Sequence, residues 1–260
     1  MWPVTADPAA YRDPVVPTDL IRYTCGHEDY EAYLLSGFEV ASMLNLALHK
    51  HVGRLVSDFC DVLDFGCGAG RVSRHLHPAG SLSGCDVNAR VASYAEQTIT
   101  HGSFHANALM PPLLYPDGAF DLVCSFSVFS HLRLDVEQAW LGELARVGRR
   151  GCVYLITVQG DWMIDMTLGA LAQSAREQGF SFRRVHRRHR SPLDFPDYYE
   201  SSYHTSAWIR EHWSEHFDVL DVVKGDDPGR YLAPGQAFAP GGDVPLVRPM
   251  GQDLVVAVKR

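Results

Sequence analysis

The chain has 260 residues, and its 46% hydrophobic and 21% charged content is that of an ordinary globular protein. Its formal net charge of −8 argues against a nucleic-acid partner, because proteins that bind nucleic acids usually present a basic face. No apolar run is long enough to span a bilayer, and the first residues have neither the basic nor the apolar region of a secretion signal.

The N-terminal part is predicted to be an extended arm followed by a helical segment. Residues 1–17 carry four prolines and little periodicity. Between Thr18 and Leu55, apolar residues recur at helical spacing and place Phe38, Ala41 and Leu44 near one face.

Strands and helices then alternate, which predicts a parallel sheet with helices on both of its faces. The predicted strands lie at residues 61–65, 81–86, 102–106, 120–125 and 152–158. The predicted helices lie at residues 70–77, 88–100, 135–147 and 163–178.

The C-terminal part differs in composition. Ser181–Arg190 is strongly basic, which usually marks a solvated face, although an anion clamp for a substrate is the alternative. An aromatic stretch, Phe195–Tyr203, follows it. The remaining predictions are a helix over Thr205–His216, strands over Phe217–Val223 and Asp253–Val258, and a long loop rich in Gly and Pro over residues 225–251.

One glycine-rich turn carries most of the functional information. The segment Val62–Arg71 has the pattern of a buried strand that ends in Gly-x-Gly-x-Gly and opens a helix, and Asp86 ends the next apolar run. A parallel sheet binds an adenosine ribose at such a turn, and the acidic residue accepts hydrogen bonds from the ribose hydroxyls.

The residues around the turn distinguish two adenosine ligands. A dinucleotide site has a third glycine against the helix, whereas Arg71 stands at that position here, which argues against an NAD-dependent oxidoreductase. The carboxylate of Asp64 would repel a pyrophosphate but attract an ammonium group. S-adenosylmethionine (SAM) carries both an ammonium group and an adenosine, so the sequence predicts SAM as the cofactor.

At these residues the chain resembles the class I SAM-dependent methyltransferases, whose first motif has the pattern V-L-D-x-G-C-G-x-G, and in particular a bacterial type-11 or type-25-like domain. The resemblance is close over residues 37–160 and extends to Asn107-Ala108, Phe120–Ser125, Phe129–Leu132 and Glu143–Val147. Two departures stand out: Asn107 replaces the usual Asp, and Gly148–Gly151 replaces the usual L-K-P-G-G turn.

The resemblance and the pattern together imply an α/β fold: a Rossmann-like, seven-stranded, mostly parallel sheet with helices on both faces, a helical N-terminal lid and a cap insertion between strands five and six. We expect a single domain. Its parts would be the arm and lid (1–55), the SAM-binding core (56–160), the substrate cap (161–215), and the last strands with the long loop (216–260).

The resemblance also implies a set of cofactor contacts. Asp64 and the glycine turn would hold the methionine end, Asp86 the ribose, and Asn107 the adenine. An N-cap for Asp86 and a turn role for Asn107 are the structural alternatives. The predicted cofactor-binding residues are Asp64, Gly66, Cys67, Gly68, Gly70, Arg71, Asp86, Val87, Asn107, Ala108, Ser125 and Phe126.

His131 is the candidate base, because it follows the fourth strand at the edge where the donor methyl is expected. The alternative is that it packs the following loop and that methyl transfer needs only positioning. The residues predicted to contact the substrate are Tyr23, Tyr30, Gln159, Tyr203 and His204. No histidine or cysteine pattern indicates a metal site.

These observations predict methyl transfer from SAM to a small molecule, at oxygen, and the resemblance to a bacterial subgroup of the family implies a natural-product or glycan pathway. Transfer to nitrogen or carbon, or SAM binding without methyl transfer, are the alternatives. Six cysteines without a C-x-x-C pair are typical of reduced thiols, so we expect a cytoplasmic protein. We expect no nucleic-acid and no membrane partner, and the sequence leaves the oligomeric state open.

Overall fold

The computed structural model describes residues 14–167, 169–184, 200–225 and 251–260. Most of the predicted N-terminal arm, the basic run beyond Arg184, most of the aromatic stretch and the long loop before Gly251 lie outside these residues.

A seven-stranded sheet forms the centre of the fold, as predicted. Its strands are β1 (Asp61–Phe65), β2 (Ser81–Asp86), β3 (Ser103–Ala106), β4 (Phe120–Ser125), β5 (Gly148–Val158), β8 (Phe217–Val223) and β9 (Asp253–Lys259). Two further strands, β6 (Phe180–Arg184) and β7 (Glu200–His204), form a separate antiparallel pair. The strand order in the seven-stranded sheet is β3-β2-β1-β4-β5-β9-β8, and only β9 runs antiparallel to both of its neighbours. The chain reverses direction across the sheet between β1 and β4, so a crevice opens at the carboxyl ends of these strands.

Helices cover both faces of the sheet. They are α1 (Thr18–Cys25), α2 (Tyr30–Val52), α3 (Ala89–Thr98), α4 (Leu134–Val147), α5 (Asp161–Met166), α6 (Ala170–Gln178) and α7 (Ser206–His212). One apolar core contains α2 residues such as Leu44, and the other contains Trp140 of α4 and Trp213. Within the described ranges, no helix is long and apolar enough to cross a membrane.

The prediction of a helix over residues 70–77 was wrong. A single 3₁₀ turn, Ser73–His75, follows the glycine turn. Gly70 has a left-handed backbone with φ of 76°, so a helix can begin only after it, and Leu76 is already extended and buried. The side chain of Arg74 donates to the carbonyls of Ala69 and Gly70 at 3.2 and 2.9 Å, and the Arg74 amide also donates to the Gly70 carbonyl at 3.2 Å, so these carbonyls are satisfied without a continuous helix.

The predicted N-terminal lid consists of two helices. Gly26, in a left-handed conformation, ends α1, and the side chain of Asp29 caps α2 by accepting from the Ala32 amide at 3.0 Å. Gly37 of α2 lies so close to the backbone carbonyl of Arg71 that a Cβ would clash with it. The lid therefore packs directly on the glycine turn.

The cap between β5 and β8 contains α5, α6, the antiparallel pair β6–β7, and α7. The predicted helix over 163–178 is split in two, and the β6–β7 pair was not predicted because its polar and basic residues show no apolar alternation. Ser202 of β7 attaches the cap to the core: its amide donates to the Ser130 carbonyl at 3.0 Å and its hydroxyl to the Phe129 carbonyl at 2.8 Å.

A buried polar cluster also joins the cap to α4. Glu137, fully buried, lies 2.7 Å from His204 Nε2 and accepts from Trp213 Nε1 at 3.0 Å. All three side chains are inaccessible to water, so Glu137 cannot bond to solvent. Each of its carboxylate oxygens instead has a partner within the protein, one the His204 ring and the other the Trp213 ring.

Gly70 provides a test of how tightly the turn is packed. A Cβ at Gly70 would clash with Ile99 Cδ1, whereas a Cβ at Gly151, with nearly the same φ of 78°, meets nothing within 4 Å. We expect Gly151→Ala to cost about 1 kcal/mol of unfolding free energy, from the left-handed backbone alone. Gly70→Ala should cost about 1–3 kcal/mol more, from overpacking. Urea unfolding of the two variants measures the difference, and equal losses would contradict the packing described for Gly70.

Candidate functional site

A cavity of about 790 Å³ lies at the carboxyl edge of the sheet, at the switch between β1 and β4. The parts of the chain that line it include the end of α1, the glycine turn, the end of β2, Leu109 after β3, the segment after β4 with the start of α4, and Gln252 just before β9. A volume in the upper part of the ~300–1,000 Å³ range of small-molecule sites is large enough for a nucleoside-sized ligand together with a smaller one.

The glycine turn forms the floor of the cavity. Gly66 and Gly68 have left-handed backbones with φ of 81° and 54°. The amides of Gly66 and Cys67 both donate to the Cys85 carbonyl, at 2.8 and 3.0 Å. Thr24 of α1 lies above Gly68, where a side chain would collide with it. The glycines therefore let Thr24 and Val128 pack closely against the turn, and residues 66–68 still line the cavity.

Asp86 fixes this turn from the neighbouring strand. Its Oδ2 accepts from the Gly68 amide at 3.0 Å, and its Oδ1 accepts from the Asn88 amide at 2.8 Å. Burial raises the pKa of Asp86, and these two amides oppose that shift. Each oxygen retains a further lone pair for a ligand hydroxyl. The N-cap of α3 is Asn88, whose side chain accepts from the Arg90 amide at 2.9 Å, so Asp86 does not cap this helix.

Asp64 is a buried carboxylate at the bottom of the cavity, with 2% of its surface exposed. Burial raises its pKa to about 6, although a hydrogen bond from the Ser73 hydroxyl and the nearby charge of Arg71 act in the opposite direction. Such a group binds a cation favourably, because a positive ligand restores the stabilisation that the carboxylate loses when it leaves water.

Arg71 brings positive charge to the same end of the cavity. Its guanidinium donates to the Ser36 hydroxyl at 3.2 Å and lies 4.9 Å from the centre of the Phe126 ring. Among the described residues, no carboxylate forms an ion pair with it within 4 Å. A ligand carboxylate would supply that partner, so Asp64 and Arg71 together suit an amino acid moiety.

The other end of the cavity suits a planar apolar group. Val87 and Leu109 line it although they remain 37% and 39% exposed. Beside them, the Asn107 amide donates to the Asp86 carbonyl at 3.0 Å. Asn107 Oδ1 is buried and has no hydrogen-bond partner within the described part of the chain. An amino group on the ligand would satisfy that oxygen, so an adenine fits this end.

The segment after β4 forms the wall between the two ends. His131 lines the cavity, as predicted, and its amide donates to the Val128 carbonyl at 2.9 Å in a tight turn. Phe126 also lines this wall. A methyl group of Val128 occupies the space that a Cβ on Gly66 would take, so this wall and the glycine turn are packed directly together.

The structure brings most of the predicted residues to the cavity. The predicted residues that line it are Tyr23, Asp64, Gly66, Cys67, Gly68, Arg71, Asp86, Val87, Phe126 and His131. Four predicted cofactor residues, Gly70, Asn107, Ala108 and Ser125, do not line it: Gly70 packs on Ile99 behind the turn, and Ser125 is buried within β4. Asn107 is adjacent to the lining, and Leu109 takes the place predicted for Ala108.

Four residues predicted to contact the substrate lie elsewhere. His204 is fully buried against Glu137, so its predicted substrate contact is not made in this structure. Gln159 donates to the Ser130 carbonyl at 3.4 Å. Tyr203 packs in the cap against the cluster around Ile164, and Tyr30 packs in the lid. The aromatic spacing that suggested these contacts reflects packing.

Sequence reasoning missed several residues that line the cavity, above all Ser127 and Gln252. Ser127 immediately follows Phe126, so its position after β4 was available as a signal. Gln252 is 125 residues away in sequence, and only the antiparallel return of β9 brings it to the edge of β5. In the part of the chain that the structure describes, no group of three or more His, Cys, Asp or Glu residues is arranged to hold a metal ion.

Residues 62–151, which include the glycine turn, match the family model of a methyltransferase domain. Among solved structures, this chain is similar to a chain of the Haloferax volcanii complex between the Trm112 methyltransferase activator and a methyltransferase. The two share 17% identity and a TM-score of 0.56, over 94% of this chain and 99% of that chain.

Two further structures have the same fold. The 1,6-didemethyltoxoflavin-N1-methyltransferase of Burkholderia thailandensis, with 1,6-didemethyltoxoflavin and S-adenosylhomocysteine bound, is 17% identical at a TM-score of 0.52, over 98% of this chain and 91% of that chain. A SAM-dependent methyltransferase of Methanosarcina mazei is 15% identical at the same TM-score, over 82% and 96% of the two chains. At these identities the likeness shows the fold alone.

Asp86 offers a direct test of the ribose contact. We expect Asp86→Ala to weaken S-adenosylhomocysteine binding by about 2–4 kcal/mol, because two charge-assisted hydrogen bonds to ribose are lost. Asp61→Ala is the control, since it removes a carboxylate from the opposite edge of the same sheet and should leave the affinity unchanged. Calorimetry on both folded proteins measures the effect, and an unchanged affinity in Asp86→Ala would remove the ribose assignment.

Asp64 predicts a pH dependence of cofactor binding. Since its pKa in the free protein is about 6, its carboxylate is charged above that pH and neutral below it. We expect the affinity for S-adenosylhomocysteine to fall as the pH drops through about 6, by at most about tenfold per pH unit. Asp64→Asn should bind the ligand weakly with no such pH dependence.

Asp64→Asn, which should weaken ligand binding, should at the same time stabilise the free protein. Burial raises the pKa of Asp64, so the ionised carboxyl destabilises the fold, and this penalty grows as the pH rises from about 4 to about 6. Asp64→Asn should therefore raise the melting temperature of the free protein at pH 7.5. A lower melting temperature together with a retained pH dependence of binding would contradict the role given to Asp64.

Proposed function

We propose that this chain, whose residues 62–151 match the family model of a methyltransferase domain, is a class I SAM-dependent methyltransferase that transfers the methyl group to an oxygen atom of a small molecule, with His131 as the base. The observation that carries the proposal is the single cavity that extends from the glycine turn past Phe126 to His131. Cofactor and acceptor would share this cavity, with the reacting atoms beside the wall after β4.

The cofactor part of the proposal assigns one chemical group of SAM to each polar group of the cavity. Asp64 would hold the ammonium and Arg71 the carboxylate of the methionine moiety. Asp86 would accept from the ribose hydroxyls, and Asn107 Oδ1 would accept from the adenine amino group between Val87 and Leu109. When bound, SAM supplies a methyl group on a positively charged sulfur, which is electrophilic without further activation.

The acceptor is proposed to be a small molecule because the cavity is partly closed. The end of α1 lies over the glycine turn, and Tyr23 and His27 line the cavity from that side. An intermediate of a cytoplasmic natural-product or glycan pathway remains the proposed class of acceptor.

The choice of oxygen follows from the position of His131. A neutral amine already has a free electron pair, whereas a hydroxyl becomes a strong nucleophile only when a base takes its proton. A histidine that lines the cavity beside the proposed methyl position can accept that proton near neutral pH. The rest of the catalysis is proximity and the exclusion of water, which the cavity walls provide.

The experiment is an intact-mass screen of hydroxyl and amine compounds, with enzyme and SAM, followed by the location of the new methyl group. With an acceptor in hand, His131→Ala should lower the single-turnover rate by about 10²-fold, while S-adenosylhomocysteine affinity stays the same. The wild-type rate should fall as the pH drops through the histidine pKa.

One further variant and a rescue experiment separate a base from a packing residue. His131→Gln retains hydrogen bonding but cannot take up the proton near neutral pH, so it should be as slow as His131→Ala. Added imidazole should partly restore the rate of His131→Ala. Methylation at nitrogen would overturn the oxygen assignment. An unaltered rate and pH profile in both variants would remove His131 as the base and leave positioning as the source of catalysis.

A further inference from the structure

The segment after β4 contains a conformationally strained serine at the cavity wall. Ser127 has φ of 59°, which makes it the sole non-glycine residue with a left-handed backbone in the described ranges. This conformation is unfavourable for a residue with a Cβ and persists only where the surroundings impose it. The Ser127 amide donates to the buried Thr157 hydroxyl of β5 at 2.8 Å, and this bond is one such constraint.

Gln252 holds the side chain of this serine from the other side of the cavity. Its Nε2 donates to the Ser127 hydroxyl oxygen at 2.8 Å, and to the Ser130 hydroxyl oxygen at 3.5 Å, the limit of a hydrogen bond. Gln252 is itself fixed by the next residue. Asp253 is buried, pairs with Val158 of β5, and accepts from the Gly225 amide at 2.9 Å.

The direction of this hydrogen bond determines what the serine offers to a ligand. Because the Ser127 oxygen accepts from Gln252, its hydrogen must point to a different acceptor. No acceptor for that hydrogen is found among the residues that the structure describes, and Ser127 lines the cavity. An O–H group that already accepts a hydrogen bond is also a stronger donor, since linked hydrogen bonds polarise one another.

We propose that Ser127, oriented by Gln252, donates a hydrogen bond to a second oxygen of the acceptor, one that lies close to the methylated hydroxyl. This inference rests on the proposed function and narrows its substrate class to hydroxy compounds with a nearby carbonyl oxygen. His131 and Ser127 belong to the same short segment and line the same cavity, so one takes the hydroxyl proton while the other holds the carbonyl. Ser127 is a binding residue here, and Gln252 is a positioning residue.

The charges around the cavity agree with this class of acceptor. With Asp64 and Asp86 assigned to the ammonium and ribose of the cofactor, the remaining lining residues include His27, His131 and Arg133 but no further carboxylate. A neutral or anionic oxygen ligand meets no repulsion there, whereas a cationic amine would find no carboxylate partner in this part of the described lining.

The test uses pairs of probe compounds that differ only in the carbonyl oxygen: 2-hydroxyacetophenone with 2-ethylphenol, and 3-hydroxyacetophenone with 3-ethylphenol. Methylation at saturating SAM gives the ratio of kcat/KM within each pair, and calorimetry gives the ratio of affinities for the S-adenosylhomocysteine complex. We expect the wild-type protein to prefer the ketone of at least one pair by about tenfold in both measurements. The preference should lie in KM more than in kcat.

Four variants separate the hydroxyl from the backbone around it. Ser127→Ala removes the hydroxyl at the same backbone strain, and Ser127→Gly removes the hydroxyl and relieves the strain, so both should lower the ketone preference to about 1. Gln252→Glu should have the same effect with the serine intact, because a carboxylate would accept the serine hydrogen and turn it away from the ligand. Ser130→Ala, the control, removes the other hydroxyl beside Gln252 and should leave the preference unchanged.

Each result supports or overturns the inference. Loss of the ketone preference in the first three variants, with S-adenosylhomocysteine affinity changed by less than about twofold, supports it. A preference that survives Ser127→Ala, no preference in the wild type, or an equal loss of cofactor affinity would overturn it. If neither ketone binds or reacts while another hydroxyl compound is methylated at oxygen, the inference of a nearby carbonyl is wrong but the proposed function stands. Methylation at nitrogen alone would contradict the proposed function itself.

Discussion

The packing of the glycine turn against its neighbours is the constraint on which the cavity depends. Two amides of the turn share the Cys85 carbonyl, and Asp86 holds the Gly68 amide from β2. Behind the turn, Arg74 and Tyr33 donate to its carbonyls. These bonds satisfy backbone groups of the turn inside the protein, while residues 66–68 line the cavity.

The same packing connects the turn with the wall after β4. Val128 fills the space beside Gly66, and Ser127 bonds to Thr157 of β5. The cap attaches to this wall through the backbone of residues 129 and 130 rather than through side chains that face the cavity. The wall thus lies between the cofactor floor and the cap, and a shift in either would move Ser127 and His131 together. Such a support keeps reacting groups within a narrow range of positions.

Buried carboxylates show that the cavity is arranged for ligand binding at the expense of stability. Burial raises the pKa of Asp64 and Asp253 to about 6, because no basic partner fully offsets the desolvation of either carboxylate. Asp253 retains its position through backbone amides, which fixes the start of β9 and with it Gln252. Asp64 is placed where a cationic ligand would compensate for the lost hydration, as expected for a group selected for function.

The sequence by itself determined the sheet, the glycine turn and the acidic residue after β2, because these depend on local apolar runs and on backbone conformations that only glycine adopts readily. It also placed His131 correctly at the cavity, since any residue just beyond β4 lies at the carboxyl edge. Local pattern could not predict that His204 is buried against Glu137 of α4. It also could not predict that Gln252, 125 residues away in sequence, is brought to Ser127 by the position of β9 in the sheet. Nor could it show that the chain after Gly70 makes only one 3₁₀ turn, since Leu76 is already extended and buried in the apolar core. These positions depend on contacts between segments far apart in the chain, so only the tertiary structure decided them.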